Sequence, residues 1–272
     1  MAHTNTGAGL ARRKFLRSSL GGIAGWLATT GTLLAGPTLT PNPRQRFAIV
    51  NADDLGKSAE IDRGIFEAHD GGIVTSTSLL VDGPDAETAI QQARKRPDLG
   101  LGIHVAFDVR SKRLLDAPDL DGVQREIDRQ LTSFVRLTGS PPDHIDSHNN
   151  VHGLFNVARL FLEAGRRYGV PVRGFSEVVY VGRFYGQPEF RRTDLSMISV
   201  DALAALLRSL KPGVSEVSCR PGHLQPGLDA IYNREREEEL RTLTDRRIKT
   251  VIADEDIRLI NYRDYARLVR PA

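Results

Sequence analysis

The chain has 272 residues, with 37 lysines and arginines, 34 acidic residues, seven histidines and one cysteine, Cys219. A lone cysteine excludes an intramolecular disulfide and a cysteine-based zinc cluster, so stability has to come from a packed core. Removing the four basic residues Arg12, Arg13, Lys14 and Arg17 with the N-terminal segment takes 37 to 33 against 34 acids, a net charge of −1; no Lys/Arg block is interleaved with aromatics, and nucleic acid is not an expected partner.

Residues 1–36 read as a targeting segment rather than fold. A twin-arginine pair, Arg12-Arg13, is followed by Phe15-Leu16 and a mildly apolar stretch from Leu20 to Ala35. This is similar to a twin-arginine (Tat) export signal, which places the protein in the periplasm or outside the cell and makes the Tat machinery a partner of the precursor. Leu33 leaves the cleavage site near Ala35 weakly defined, so an uncleaved membrane anchor stands as the alternative. Residues 37–45, with prolines at 37, 41 and 43, read as a linker, and 46–272 as one domain.

That domain opens on Phe47, Ala48, Ile49 and Val50, a strand covered on both faces, which ends in Asp53, Asp54 and Gly56. Adjacent side chains on extended backbone point apart, so the two carboxylates are expected to do different jobs unless the backbone turns between them. One binds a cation while the other acts as a base; the competing interpretation is a turn that caps the next helix. Helix follows over Ala59 to Asp70, strand over Ile73 to Val81, helix over Pro84 to Arg96 and strand over Leu99 to Val105. A helix from Val123 to Leu137, a short strand from His144 to Ser147 and a helix from Leu154 to Tyr168 continue the alternation. A strand is expected at Val172 to Phe175, a helix at Val200 to Leu210 and a strand at Ser215 to Cys219; Glu235 to Leu243, Lys249 to Ala253 and Arg258 to Tyr262 complete the pattern. Alternation of this kind predicts parallel strands joined by right-handed crossovers. About seven such units fit a TIM-like (β/α) barrel, distorted or incomplete forms included, with a doubly wound open sheet as runner-up. Neither GxGxxG after the first strand nor GxxxxGK[ST] occurs. Segment Glu177 to Leu195, with Tyr180, Phe184, Tyr185 and Phe190, reads as a lid or substrate loop.

In a barrel, residues at the C-terminal ends of strands share one mouth. Asp54, His104 and His148 all fall there and make a carboxylate and two imidazoles available to a divalent metal. Taken alone, His104 between Ile103 and Val105 reads as a core histidine. His148 lies in Asp146-Ser-His-Asn-Asn-Val-His152, too polar for packing, and His152 reads as a cap or ligand-orienting group.

Asn51-Ala-Asp53-Asp54-Leu-Gly56, Asp62-Arg-Gly-Ile-Phe-Glu67, Gly72-Ile-Val-Thr-Ser-Thr77, Gly100-Leu-Gly-Ile-His104 and Asp146-Ser-His148 with His152 together resemble the YdjC-like carbohydrate deacetylase family. The resemblance implies a TIM-like barrel that uses a divalent metal, zinc or magnesium first and nickel, cobalt or manganese as alternatives, to remove the N-acetyl group of an amino sugar. It also implies Asp54, His104 and His148 as ligands and Asp53 as catalytic base. Two departures stand out: Asn149 and Asn150 replace histidine-rich positions, and Arg220 occupies the place of a histidine before Pro221-Gly222. Arginine stabilises an oxyanion but is a poor proton donor, which leaves His223 as the candidate acid; Arg220 paired with Glu216 in a purely structural role is the competing interpretation. Phe107, Tyr180 and Tyr185 are candidates for stacking on sugar. The alternatives are a non-catalytic carbohydrate-binding relative, or a metal hydrolase of another ester or amide whose anionic group Arg220 holds. The expected partner is a saccharide substrate, and a homodimer stands open.

Overall fold

The structure is a computed structural model and describes residues 44–107, 119–224 and 232–269. The signal segment and most of the linker lie outside the described residues. Among those described, no helix is long and apolar enough to cross a membrane.

Seven strands form one parallel sheet: β1 (Arg46–Leu55), β2 (Ser76–Leu79), β3 (Gly100–Val105), β4 (Ile145–Ser147), β5 (Val179–Val181), β6 (Gly213–Cys219) and β7 (Ile257–Leu259). Their order is β4-β3-β2-β1-β6-β5, and β7 pairs with the start of β1. The far edge of β4 bridges to Val172 through Ile145, and β5 follows seven residues later in the same segment. Neighbours in space thus follow chain order around a curl, which is the winding of a distorted half-barrel and not of a doubly wound sheet. The strand expected at Val172 to Phe175 is reduced to that one bridge, because Gly174 adopts φ +73° and ends the extended run.

Helices cover the outer face: α1 (Ala59–Asp70), α2 (Ala86–Ala93), α3 (Leu120–Thr138), α4 (Ala158–Tyr168), α5 (Val200–Arg208), α6 (Arg234–Thr244), α7 (Arg246–Asp254) and α8 (Tyr262–Val269). Capping fixes several starts: Ser58 accepts from Ile61 N at α1, Asp119 from Gly122 N at α3 and Ser199 from Ala202 N at α5.

The period of two along each strand sorts the side chains. Ala48, Val50 and Ala52 of β1, Ile103 and Val105 of β3, and Val217 and Cys219 of β6 join the apolar core with the helices. The alternate residues form a second, inner set. Ile49 packs with Val178, Tyr262 and Tyr265, and further along come Asn51, Asp53, Ser78, His104, Asp146, Glu216 and Ser218, all buried and polar. Polar groups removed from water need partners, and they find them in one another.

A candidate metal centre at the strand ends

Asp54 occupies an unusual backbone. β1 runs on through both carboxylates, its register with β2 shifts between Ala52 and Leu55, and Asp54 has φ +76°. The backbone does turn between the adjacent acids, so both reach the inner face instead of opposite ones. Gly56, at φ +86°, completes the turn, and its N–H donates to the Asp62 carboxylate of α1 at 2.6 Å.

Asp54, His104 and His148 come together, their ligand atoms within 4.8 Å of one another. Asp54 Oδ1 lies 3.6 Å from His104 Nε2 and 3.2 Å from His148 Nδ1. His104 Nδ1 lies 2.7 Å from Asp146 Oδ1. An ionised carboxylate there makes Nδ1 the protonated nitrogen, which turns the lone pair of Nε2 toward Asp54. Asp54 Oδ1 and His104 Nε2 are both buried, and neither has a hydrogen-bond partner among the described residues. Two buried acceptors facing each other cost free energy unless a cation lies between them. The other Asp54 oxygen is engaged: Oδ2 accepts from Arg236 on α6 and lies 3.5 Å from Lys57 Nζ. The three donors therefore fit a divalent cation. A second grouping, Asp53, His104 and Asp146, fits poorly, because arginine already holds the Asp53 oxygens and one of those of Asp146.

Asp53 is clamped by two guanidiniums. Arg173 NH2 donates to its Oδ1 at 2.7 Å and NH1 to Oδ2 at 3.2 Å, while Arg220 NH2 lies 2.9 Å from Oδ2. Burial pushes the Asp53 carboxyl up, but Arg173 and then Arg220 outweigh it and hold it below the usual carboxylate range. Asp54 behaves alike: burial opposes ionisation, and Arg236 with His148 takes the carboxyl well below its ordinary value. Arg173 also reaches Asp146 Oδ2 at 2.7 Å and Glu216 Oε1 at 2.8 Å, and Tyr262 donates to Glu216 Oε2 at 2.5 Å. One buried arginine thus ties β1, β4 and β6 together across the open side of the half-barrel.

A cavity of about 540 Å³ opens beside this cluster, lined among others by Asp54, Lys57, His148, Tyr185, Arg220 and Arg236. Of the stacking candidates, Tyr185 lines it, with its ring stacked on Tyr232 and the Arg220 guanidinium 5.2 Å from its centroid. Tyr180 sits deeper, its hydroxyl 3.0 Å from Ser218 Oγ and its ring under Arg173. Phe107 packs against the apolar core and not on the cavity. His152 is buried, its Nδ1 2.7 Å from Ser147 Oγ and its ring against Phe161 and Phe175, so it supports the His148 turn from behind and does not face ligand. Asn149 and Asn150 both take left-handed backbone, at φ 57° and 53°, which asparagine tolerates better than most residues. The segment expected as a lid supplies β5 and, from Tyr185 to Phe190, one wall of the cavity.

The expected proton donor is elsewhere: His223 Nε2 bonds Glu67 of α1 at 2.9 Å, away from Asp53 and Asp54. Arg220 pairs with Asp53 and not with Glu216, whose carboxylate is taken by Arg173 and Tyr262. Sequence reasoning passed over Arg173, Arg236 and Lys57. Arg173 left a trace, a lone charge in the apolar run Val170-Pro-Val-Arg-Gly-Phe; Arg236 left none in a helix dense with charge.

A parallel α/β half-barrel with one carboxylate and two imidazoles at its strand ends defines a class, that of barrels built to hold a catalytic cation. The family of YdjC-like proteins matches residues 47–254, and the chain belongs to it. A carbohydrate deacetylase of Geobacillus stearothermophilus is 31% identical over 82% of this chain and 99% of its own length. One from Thermoanaerobacter pseudethanolicus is 30% identical over 80% and 98%. A crystal structure from Enterococcus faecalis V583, of a candidate cellobiose-phosphate cleavage protein, superposes with a TM-score of 0.71 at 27% identity, covering 81% of this chain and 99% of that one. A family 4 carbohydrate esterase of Streptomyces lividans, at 13% identity and a TM-score of 0.51 over 79% of this chain and 92% of its own, shares the fold.

Proposed function

We propose that this protein is a carbohydrate deacetylase that hydrolyses, with a divalent metal ion, the N-acetyl group of an amino sugar or a chitooligosaccharide-like carbohydrate. Relatives of that name, matched over nearly their whole length, support the deacetylase activity. The observation that carries the metal dependence is the pair of buried, unpartnered atoms, Asp54 Oδ1 and His104 Nε2, beside the clamped carboxylate of Asp53. A divalent cation held by Asp54, His104 and His148 supplies Lewis acidity toward the acetamide carbonyl and the attacking water. One carboxylate and two imidazoles suit zinc best, with magnesium second because it prefers oxygen donors.

The chain's own groups do the rest. Asp53, kept ionised and fixed in place by Arg173 and Arg220, takes the proton of the attacking water as the new C–O bond forms. Arg220, a permanent cation on the cavity wall, stabilises the negative charge on the tetrahedral carbon's oxygen. It cannot supply the proton the amine needs, so Asp53 returns the one it took as the C–N bond breaks, giving acetate and the free amino sugar. Asp146 keeps His104 in the tautomer whose Nε2 faces Asp54. Asp53→Asn tests the assignment. Acetate release from N-acetylglucosamine oligomers falls by roughly 10² to 10⁴ while cation affinity is kept, whereas acetate release persisting in the variant contradicts it. The twin-arginine motif supports export, tested by fusing residues 1–45 to a reporter that is active only after Tat transport.

A further inference from the structure

The charges around the site do not balance once a cation is bound. Four carboxylates, Asp53, Asp54, Asp146 and Glu216, face four basic side chains, Lys57, Arg173, Arg220 and Arg236, through the contacts described above. The count is four against four, so a divalent cation leaves a surplus of two positive charges in a largely buried site. Glu239, which accepts from the Arg220 backbone N–H and from Tyr232, offsets at most one of them. Glu189 on the cavity rim is paired with Arg192.

The surplus faces the cavity. Lys57, Arg220 and Arg236 all line it, and the Lys57 side chain is 40% exposed. The Arg220 guanidinium spends NH2 on Asp53 and lies over Tyr185; its other two nitrogens bond nothing among the described residues. Arg236 donates to the Arg220 carbonyl at 3.3 Å, which braces that backbone. A braced, planar guanidinium with free donors, next to an ammonium, is a receptor for a planar or tetrahedral oxyanion.

We infer that the cavity selects an acetamido sugar bearing an anionic group, a carboxylate or a phosphate, which Arg220 and Lys57 hold beside the scissile acetamide. The inference rests on the deacetylase reading above. Charge-assisted hydrogen bonds in such a site are worth about tenfold or more in kcat/KM.

The test compares acetate release by the metal-loaded protein from neutral N,N′-diacetylchitobiose, from N-acetylmuramic acid and from N-acetylglucosamine 6-phosphate. The expected result is a kcat/KM at least about tenfold higher for one anionic sugar, carried by KM, with the ratio falling toward one in Lys57→Gln. The better of the two anions identifies the group. Equal or better turnover of the neutral sugar overturns the inference while leaving the deacetylase reading intact. Should no sugar release acetate, that reading fails, and calorimetry with glucosamine, muramic acid and glucosamine 6-phosphate decides the anion site alone. Tighter binding of an anionic sugar by about tenfold sustains it, and equal binding overturns it.

Discussion

Replacing Arg173 by methionine removes one cation from among three buried carboxylates. Its side chain is fully buried and contacts Asp53, Asp146 and Glu216, each at 2.7 Å. Methionine fills much of the volume but pairs with nothing, and breaking a buried ion pair from one side costs about 3–5 kcal/mol. For a domain of this size each kcal/mol is worth about 2–4 °C, so the melting temperature falls by roughly 6–20 °C. The sign of the pH dependence is a second signature. In the wild type the Asp53 and Asp146 carboxyls are held below their ordinary value, so their contribution to stability is present above a pH of about 4 and is lost only below it. In Arg173→Met, burial without that cation pushes the same carboxyls up, and the variant regains stability by taking up protons as the pH falls from about 8 to about 5. Urea unfolding of both proteins at several pH values reads this directly. A loss under about 1 kcal/mol, or a deficit that does not change with pH, refutes the account of Arg173 as the cation that holds these carboxylates together.

The remaining predictions address other parts of the molecule. Burial lowers His152 to a pKa of about 4, so the native state binds fewer protons than the unfolded chain between about 4 and 6.5. Stability is therefore lost as the pH falls through that window, by roughly 3 kcal/mol in all, and His152→Gln removes this slope in acid-unfolding curves. Asp62 is shifted the other way, to about 7, chiefly by burial, so the wild type loses stability as the pH rises from about 4 toward 7; Asp62→Asn keeps an acceptor for Gly56 N–H and melts higher at a pH near 8, by an amount on the order of 1–3 kcal/mol. A Cβ on Gly64 would lie 2.5 Å from Gly222 Cα, so Gly64→Ala overpacks α1 against the loop carrying Arg220, costs about 1–3 kcal/mol in urea unfolding and lowers kcat/KM.

Much of the fold was legible because the strands carry two messages at once. The apolar residues of β1, β3 and β6 mark the helix-covered face, and the polar residues between them mark the interior that the strand ends share. Asp54, His104 and His148 could be placed together from that pattern. What the pattern could not supply was direction. His223 follows the Arg220-Pro221-Gly222 turn, and three residues of separation do not say which side of a loop a ring faces; its partner proved to be Glu67. Nor could spacing reveal that Arg173, just before a left-handed glycine, turns inward to meet carboxylates from three strands. Contacts that join residues 120 positions apart, as Arg173 and Asp53 are, exist only once the sheet has curled.

The measurement that bears most directly on the central claim is acetate release from an N-acetylated amino sugar oligomer by the purified protein, before chelation, after it and after stoichiometric zinc is returned. The account predicts activity that vanishes with the metal, returns with it and is not restored by zinc in His104→Gln. Acetate release that survives complete metal removal, or that zinc restores equally in His104→Gln, would contradict it.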